Sequence, residues 1–360
     1  MGCNLSSVDY DDKPKRVVRT ATCSFEDDQL DDDTVVALVE TEEESLRERA
    51  KFHSNISLSS LQDIQPLASG GFCAVYSCNF GGHEAVLKTP RRDCSDPMGA
   101  IADIEREIAT YMRIMDSTGG HARICKAYGA GCYQDKGVDR PFLVLERLRD
   151  DTLAHALEST GELGGPSQLS SRCACACPPM VLLEQRLEIC LELVQALEYL
   201  HNSAIPGCCV LHRDLKPTNI GLTVDGHIKV FDLGLSTVLD TRQEDDEKFE
   251  MTGETGSKRF MAPEVCRGLP YNEKADVYSF SIIMWEMCAL LKPFAQMDAE
   301  EHFREVIEKG TRPPLSDAWP VDVILLMEDC WNEDPDCRPV ARVVRERLEN
   351  IVRNSKEVLE

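Results

Sequence analysis

Two neighbouring segments in the middle of the chain carry side chains that suit phosphoryl transfer. One segment, Leu-His-Arg-Asp-Leu-Lys-Pro-Thr-Asn, contains Asp214, Lys216 and Asn219, and a second, Ile-Lys-Val-Phe-Asp-Leu-Gly, contains Asp232. The carboxylate of Asp214 could orient a hydroxyl group and accept its proton, while Lys216 could neutralise a phosphate. Asn219 and Asp232 offer hard oxygen ligands of the kind that Mg²⁺ prefers. These residue types together indicate a site that transfers a phosphoryl group.

Both segments resemble motifs of the eukaryotic protein kinase family, its His-Arg-Asp catalytic loop and its Asp-Phe-Gly metal motif. The resemblance covers residues 58–352, and the motifs follow in the family's order. It implies an α+β, two-lobed protein kinase fold, with a small N-terminal antiparallel sheet lobe that carries one helix and a larger, mainly helical C-terminal lobe. ATP and Mg²⁺ are the implied cofactors. Asp214 and Lys216 are then catalytic residues, and Asn219 and Asp232 are metal ligands.

Lys88 ends a predicted strand, Ala-Val-Leu-Lys, that resembles the strand carrying the family's nucleotide-binding lysine. The predicted helix that follows contains two acidic residues that could pair with it, Glu105 and Glu107. Helical phase favours Glu107, because Tyr111 then lies on the same side one turn later, where the family has an apolar residue. The resemblance therefore implies that Lys88 and Glu107 are catalytic residues that form an ion pair.

Leu67–Val75 occupies the position of the glycine-rich loop, whose backbone N–H groups close over phosphates. Gly70 provides the middle glycine, whereas Ala68 and Cys73 stand where the family usually has the first and third. The resemblance implies an ATP-binding set drawn from this loop, the adjoining strands, the hinge and the metal ligands. Its members are Gly70, Gly71, Val75, Val86, Lys88, Leu145, Glu146, Leu148, Asn219 and Asp232.

The expected adenine pocket departs from the family at two positions. Val86 stands where the family usually has alanine above the base, and Gly221 stands where it usually has a large apolar residue beneath. Leu145 aligns with the gatekeeper and residues 146–148 align with the hinge. The larger side chain of Val86 above the base could partly compensate for the absence of a side chain at Gly221 beneath it.

Residues 251–264 resemble the activation segment and its Ala-Pro-Glu end. Phosphate on Thr252 or Thr255 could pair with Arg213, which precedes the catalytic carboxylate, and so order this segment. The alternative is that these threonines only serve turns. Ser257 aligns where the family often has a threonine that contacts the catalytic loop.

The position of Lys216, two residues after the catalytic aspartate, is the arrangement of serine/threonine kinases. Segments 276–280 and 330–339 resemble the tyrosine-kinase-like branch of these enzymes. Three further charged residues match the family's scaffold, as a buried ion pair and a support for the catalytic loop backbone. They are Glu264, Arg338 and Asp276.

Composition divides the chain into four parts. Residues 1–57 carry blocks of like charge and are predicted to form an unstructured acidic arm. Residues 58–148 form the predicted N-lobe, and residues 149–352 form the C-lobe with an insertion at about 161–179. Residues 353–360 are a predicted C-terminal tail.

Overall charge and cysteine content limit the possible classes of protein. The net charge of −24 repels nucleic acid backbones, so general nucleic-acid binding is excluded. The apolar runs are too short to cross a bilayer, and no secretory signal begins the sequence. The 17 cysteines are an odd number spread through ordinary helix and strand patterns, which predicts free thiols in the cytoplasm.

The amino-terminal sequence Met-Gly-Cys-Asn-Leu-Ser fits the myristoylation pattern, with Gly2 as the acceptor and Cys3 available for palmitate. One myristoyl chain gives only marginal membrane binding, so the second acyl group and nearby basic residues matter. Those basic residues are Lys13, Lys15, Arg16 and Arg19. We therefore expect a membrane surface as a partner, reached by acylation from the cytoplasmic side.

The leading prediction is a protein kinase that phosphorylates serine and threonine hydroxyls of protein substrates. Two other classes of function are its alternatives. A pseudokinase scaffold is favoured by the departures in the glycine-rich loop and the base pocket. The intact Lys88, Asp214, Asn219 and Asp232 favour the enzyme, because they would touch the phosphates and the metal. A membrane-tethered adaptor that acts through the acidic arm has only composition to support it.

Overall fold

The computed structural model describes residues 52–149, 151–161, 183–240, 248–249, 251 and 257–357. The first part is an antiparallel sheet with one long helix, and the part after residue 150 is mainly helical. This arrangement confirms the predicted two-lobed fold. The acidic arm before residue 52 and most of the predicted insertion lie outside the described residues.

Five strands form the sheet of the N-lobe. They are β1 (Gln62–Ser69), β2 (Cys73–Phe80), β3 (His83–Pro90), β4 (Ala127–Asp135) and β5 (Val138–Glu146). Their order is β1-β2-β3-β5-β4, with every neighbouring pair antiparallel. Lys136 and Gly137 join β4 to β5 with φ of 50° and 82°, the turn geometry that fits the twist of two antiparallel strands.

One helix, α1 (Pro97–Thr118), packs against β3, β4 and β5. Asp96 caps its first turn by accepting a hydrogen bond from Gly99 N at 2.9 Å, and Gly119 ends it with φ of 74°. Ile104, Glu107 and Tyr111 are among the buried residues of its inner face. The helix therefore presents one carboxylate to the interior of the lobe.

The C-lobe is built around helices that bury most of their surface. Their bounds are α2 (Leu153–Gly161), α3 (Leu183–Asn202), α4 (Pro263–Cys266), α5 (Lys274–Ala289), α6 (Ala299–His302), α7 (Val321–Cys330) and α8 (Ala341–Glu357). Helix α5 is buried almost all round, which marks it as the centre of the lobe. Helix α8 packs along α3 and continues beyond residue 352, the predicted end of the lobe. No helix among the described residues is long and apolar enough to cross a membrane.

Two small antiparallel ladders position the segments that carry chemistry. They pair β6 (Cys208–Leu211) with β9 (Thr237–Asp240), and β7 (Ile220–Leu222) with β8 (Ile228–Val230). Asp214 lies in the loop between β6 and β7, and Asp232 lies between β8 and β9. Because the same ladders fix both loops, the two carboxylates are held close to each other.

A short segment before the sheet packs onto strand β4. Phe52 and Ile56 are buried, and the backbone N–H of Ile56 donates to the carbonyl of Ala130 at 2.8 Å. Gly131 leaves room for this approach, since a side chain there would overlap the carbonyl of Ile56. Packed residues of the described chain therefore begin at Phe52, before the predicted lobe boundary at residue 58.

Candidate active site

A cleft of about 480 Å³ lies where the sheet of the N-lobe faces the two ladders of the C-lobe. Its walls combine the glycine turn of the β1–β2 hairpin with charged side chains from distant parts of the sequence. The charged residues are Lys88, Asp103, Glu107, Asp214, Lys216 and Asp232. Acidic and basic groups that converge on one cavity of this size can bind a charged ligand.

Lys88 joins the two lobes at this cleft. Its Nζ atom lies 2.7 Å from Glu107 Oε2 on α1 and 2.8 Å from Asp232 Oδ1. Burial lowers the pKa of Lys88, but the two carboxylates outweigh this effect and raise the pKa above its usual value. Burial would raise the pKa of Asp232, but Lys88 holds it below the usual range. Glu107, rather than the exposed Glu105, is thus the partner of Lys88.

Asp214 is the centre of a second group of contacts. Its Oδ2 atom accepts hydrogen bonds from Lys216 Nζ at 2.7 Å and from Asn219 Nδ2 at 3.1 Å. Its Oδ1 atom accepts one from the backbone N–H of Ser257 at 2.9 Å. Asp214 is 8% exposed, so this carboxylate is fixed in place at the edge of the cleft.

The backbone of the Asp214 loop rests on Asp276 from helix α5. Asp276 accepts hydrogen bonds from the N–H groups of His212 at 2.8 Å and Arg213 at 2.9 Å. Arg213 has φ of 66°, a region that costs a non-glycine residue energy, and these bonds stabilise it there. His201 Nε2 lies 3.0 Å from the same carboxylate. Sequence reasoning did not connect His201 to the site, because it lies at the end of another helix.

The sequence model described as "Protein tyrosine and serine/threonine kinase" matches residues 61–348. The chain belongs to the protein kinase family. The prediction from its motifs is therefore confirmed, and the relatives include kinases of the predicted tyrosine-kinase-like type.

Relatives of this kinase chain come from several kingdoms. The dual specificity protein kinase shkE of Dictyostelium discoideum is 34% identical over 290 residues, which are 79% of this chain and 36% of the relative. The serine/threonine/tyrosine-protein kinase HT1 of Arabidopsis thaliana is 37% identical over 162 residues, 45% of this chain and 39% of the relative. Mitogen-activated protein kinase kinase kinase 7 of Bos taurus is 31% identical over 261 residues, 71% of this chain and 40% of the relative. The matches thus cover less than half the length of these relatives.

The kinase's metal-binding candidates lie beside Asp214 and Lys88, and each keeps a side-chain oxygen that accepts no hydrogen bond from a described residue. Asn219 donates through Nδ2 to the carbonyl and the carboxylate of Asp214, so its Oδ1 atom is left available. Asp232 has φ of 67° and uses Oδ1 for Lys88, which leaves Oδ2 available. An amide oxygen and a carboxylate oxygen are a donor set that fits Mg²⁺.

The glycine-rich loop of the kinase is a tight turn at the mouth of the cleft. Gly70 N donates to the carbonyl of Cys73 at 2.9 Å, and Gly70, Gly71 and Cys73 all line the cavity. Val75 lies opposite Lys88 in the β2–β3 register. Burial raises the pKa of Cys73 to about 11, so its thiol stays protonated at neutral pH.

The expected adenine end is formed by β3, β5 and the hinge. Val86 lies opposite Leu145 in the β3–β5 register. The side chain of Glu146 is used elsewhere, because its Oε1 atom accepts hydrogen bonds from Lys126 N and Lys229 Nζ, both at 2.5 Å. The Oε1 atom of Glu146 is therefore occupied by two donors.

Several predicted residues fall outside what the structure describes. These are Gly2, Cys3, Thr252 and Thr255. Ser257 is described, and it meets the catalytic loop through its backbone N–H rather than its hydroxyl. The Arg213 side chain donates to Thr237 Oγ1 at 3.2 Å and lies 5.7 Å from the ring centre of Tyr271.

A second cavity adjoins Lys216 and Ser257, and one of its walls is the buried carboxylate of Glu286. Burial raises the pKa of Glu286 to about 7; Lys292 and Arg259 oppose this effect and Glu158 adds to it. The folded protein therefore binds this proton more tightly than the unfolded chain does. The resulting stability is present at low pH and decreases between about pH 4.5 and pH 7.

We expect Glu286→Gln to increase the free energy of unfolding at pH 8 by about 2 kcal/mol and to change it little at pH 5. Urea unfolding at both pH values measures this difference. Glu300→Gln, at an exposed position on α6, is the matched control and should give equal shifts at both pH values. If Glu286→Gln changed the free energy of unfolding equally at pH 5 and pH 8, the pKa of Glu286 would not be raised in the folded protein.

Proposed function

We propose that this chain is an ATP- and Mg²⁺-dependent protein kinase that transfers the γ-phosphate to serine and threonine hydroxyls of protein substrates. The proposal is supported above all by the convergence of Lys88, Asp214 and Asp232 at one cleft, with Asn219 hydrogen-bonded to Asp214. Lys88, oriented by Glu107, binds the α- and β-phosphates of the nucleotide. Asn219 and Asp232 bind the metal.

Asp214 positions the acceptor hydroxyl and accepts its proton. Lys216, whose Nζ lies 2.7 Å from Asp214, stabilises the charge of the phosphoryl group in transfer. Mg²⁺, when bound, supplies charge neutralisation on the phosphate oxygens. Catalysis then comes from orientation and charge, without a covalent enzyme intermediate.

Two features support serine and threonine as acceptors on a protein. Lys216 stands in the serine/threonine arrangement, and several relatives are named serine/threonine or dual specificity kinases. A cavity of about 550 Å³ beside Lys216 and Ser257 gives an acceptor polypeptide room next to the catalytic carboxylate.

The direct test uses purified chain, Mg-ATP labelled in the γ-phosphate and a generic serine- and threonine-containing protein. Acid hydrolysis of the product should yield phosphoserine and phosphothreonine. Phosphotyrosine alone would overturn the acceptor class. Tight Mg-ATP binding without any transfer, in a preparation phosphorylated on its activation segment, would favour the pseudokinase scaffold.

Regulation and location are part of the same proposal. Phosphate on Thr252 or Thr255 pairs with Arg213 and switches the activation segment, and acylation of Gly2 and Cys3 anchors the chain at the cytoplasmic face of a membrane. Fractionation of cells that express Gly2→Ala tests the anchor. The variant should move to the soluble fraction, and a variant that stays with membranes would refute the lipid anchor.

A further inference from the structure

Helix α1 carries a polar stripe beside the buried face that contains Glu107. Arg106, Thr110 and Arg113 follow one another at intervals of four and three residues, so they lie on one side of the helix. All three reach atoms of the C-lobe, in the segment after Asp232 and in strand β6. The helix of the N-lobe therefore also contacts the C-lobe along this polar stripe.

The middle of the polar stripe is a hydrogen bond between two buried hydroxyl groups. Thr110 Oγ1 lies 3.0 Å from Ser236 Oγ, and the two residues are 4% and 1% exposed. Each hydroxyl also has a backbone carbonyl within reach, Arg106 O at 3.0 Å and Leu233 O at 2.7 Å, so one proton serves a carbonyl and the other serves the pair. Because solvent is excluded, water cannot replace this bond when either hydroxyl is removed.

Arg106 is the member of the polar stripe that lies nearest the cleft. Its Nη1 atom donates to the carbonyl of Gly234 at 2.9 Å and to Asp103 Oδ1 at 2.7 Å. Gly234 lies where helix α1 meets the segment after β8, since a Cβ atom built on it would lie 3.4 Å from Asp232 Oδ1 and 3.9 Å from Glu107 Oε2. Arg106 therefore binds at the point where the two carboxylate partners of the cleft lysine come together.

Strand pairing fixes the C-lobe side of these contacts. Ser236 directly precedes β9, whose first residue, Thr237, pairs with Leu211 of β6. At the far end of the polar stripe, Arg113 Nη2 lies 3.5 Å from Cys208 Sγ, also in β6. The polar stripe thus rests on the ladder that positions the catalytic loop and on the segment leading into that ladder.

We infer that Thr110 and Arg106 are positioning residues, which set helix α1 on the segment after Asp232 so that Glu107 holds Lys88 at the nucleotide. This inference deepens the proposed kinase function and rests on it. A helix held through one ion pair can still turn about its own axis, whereas contacts on a second side of the helix fix its rotation. Small displacements of a positioned group slow a reaction strongly, so this rotation matters for transfer. Thr110 and Arg106 act through Glu107 and do not touch the substrate.

The first test removes the hydroxyl pair one side at a time. Thr110→Val should lower the rate constant of phosphate transfer about fivefold, and Ser236→Ala should lower it by a similar factor. The double variant should lose no more than about fivefold, because both substitutions remove the same bond. Thr110→Ser should stay within about twofold of the unaltered chain, since it keeps the hydroxyl. Single-turnover transfer at saturating Mg-ATP measures the rate constant.

The second test shows whether Thr110 acts through Glu107. Glu107→Gln removes the charge that pairs with Lys88, so the position of the helix should then matter little for transfer. In the Glu107→Gln chain, Thr110→Val should change the rate constant by less than about twofold. A residue that only stabilised the fold would cause the same loss in both chains.

The matched control is Thr118→Val, on the same helix. The Thr118 hydroxyl pairs with that of Tyr199 on α3, so this substitution also removes a bond between two hydroxyl groups. Its rate constant should stay within about twofold of that of the unaltered chain, because this pair lies outside the polar stripe. Thermal unfolding shows whether each variant is folded, and Ser236→Ala replaces Thr110→Val in both tests if the latter does not fold.

The outcomes separate this inference from the proposed function. An unaltered chain that transfers no phosphate would overturn both. If the unaltered chain is active, a loss from Thr110→Val that is equally large in the Glu107→Gln chain would overturn the positioning role alone. Unchanged rate constants in Thr110→Val and Ser236→Ala, or an equal loss in Thr118→Val, would overturn it as well.

Discussion

Asp214→Asn should lower kcat about 10³-fold while Mg-ATP binding changes by less than about twofold. Asparagine cannot accept the proton of the acceptor hydroxyl, and it removes the charge that draws Lys216 Nζ to 2.7 Å. The hydrogen bond from Ser257 N can persist to the amide oxygen, so the loop should remain in place. Single-turnover phosphate transfer measures the effect on chemistry.

The matched control for this experiment is Asp225→Asn, because Asp225 is an exposed carboxylate in the turn between β7 and β8. Its kcat should equal that of the unaltered chain. Thermal unfolding of both variants distinguishes a lost proton acceptor from a lost fold. If Asp214→Asn retained more than about a tenth of the activity, Asp214 would not be the proton acceptor.

Arg338→Leu should reduce the free energy of unfolding by about 3–5 kcal/mol. Arg338 is 1% exposed, and its guanidinium donates to both oxygens of Glu264 at 2.6 and 2.8 Å. Its carbonyl also accepts a hydrogen bond from buried Lys274 Nζ at 2.8 Å. The substitution leaves the carboxylate of Glu264 buried without its cation. An uncompensated buried charge of this kind strongly destabilises the folded state.

Urea unfolding measures this loss of free energy of unfolding. Arg342→Leu, four residues further along the chain, is the control. Arg342 is exposed and lies 3.7 Å from Glu346, so its replacement should cost less than about 1 kcal/mol. Replacing both members, Glu264→Leu with Arg338→Leu, should cost less than Arg338→Leu alone. Equal losses from the single and the double replacement would contradict the uncompensated charge as the cause.

The sequence predicted the parts of the site that are close together along the chain or follow a helical period. Asp214, Lys216 and Asn219 lie within one loop, so their motif carries most of their mutual geometry. Glu107 could be chosen over Glu105 from helical phase together with the family's apolar residue at the position of Tyr111, because one face of α1 must be buried. The position of Lys88 beside Asp232 came from resemblance, since no local pattern relates two residues so far apart.

Packing between distant segments was not predictable in the same way. The filling of Gly221 by Leu148 and Phe231 depends on where the hinge crosses β7, and single positions carry no signal for that crossing. The docking of Phe52 and Ile56 on β4 depends likewise on contacts with a strand far along the chain. The one hint in the sequence was Gly221, which stands where the family usually has a large apolar residue.

The proposal that Lys88, Asp214, Asn219 and Asp232 act on one metal-bound nucleotide is tested most directly by ATP affinity with and without Mg²⁺. For the unaltered chain we expect Mg²⁺ to strengthen ATP binding at least about tenfold, and for Asp232→Asn we expect that gain to disappear. Asp225→Asn should keep the full gain. An ATP affinity that ignores Mg²⁺, or a gain that survives Asp232→Asn, would contradict a shared metal and nucleotide site.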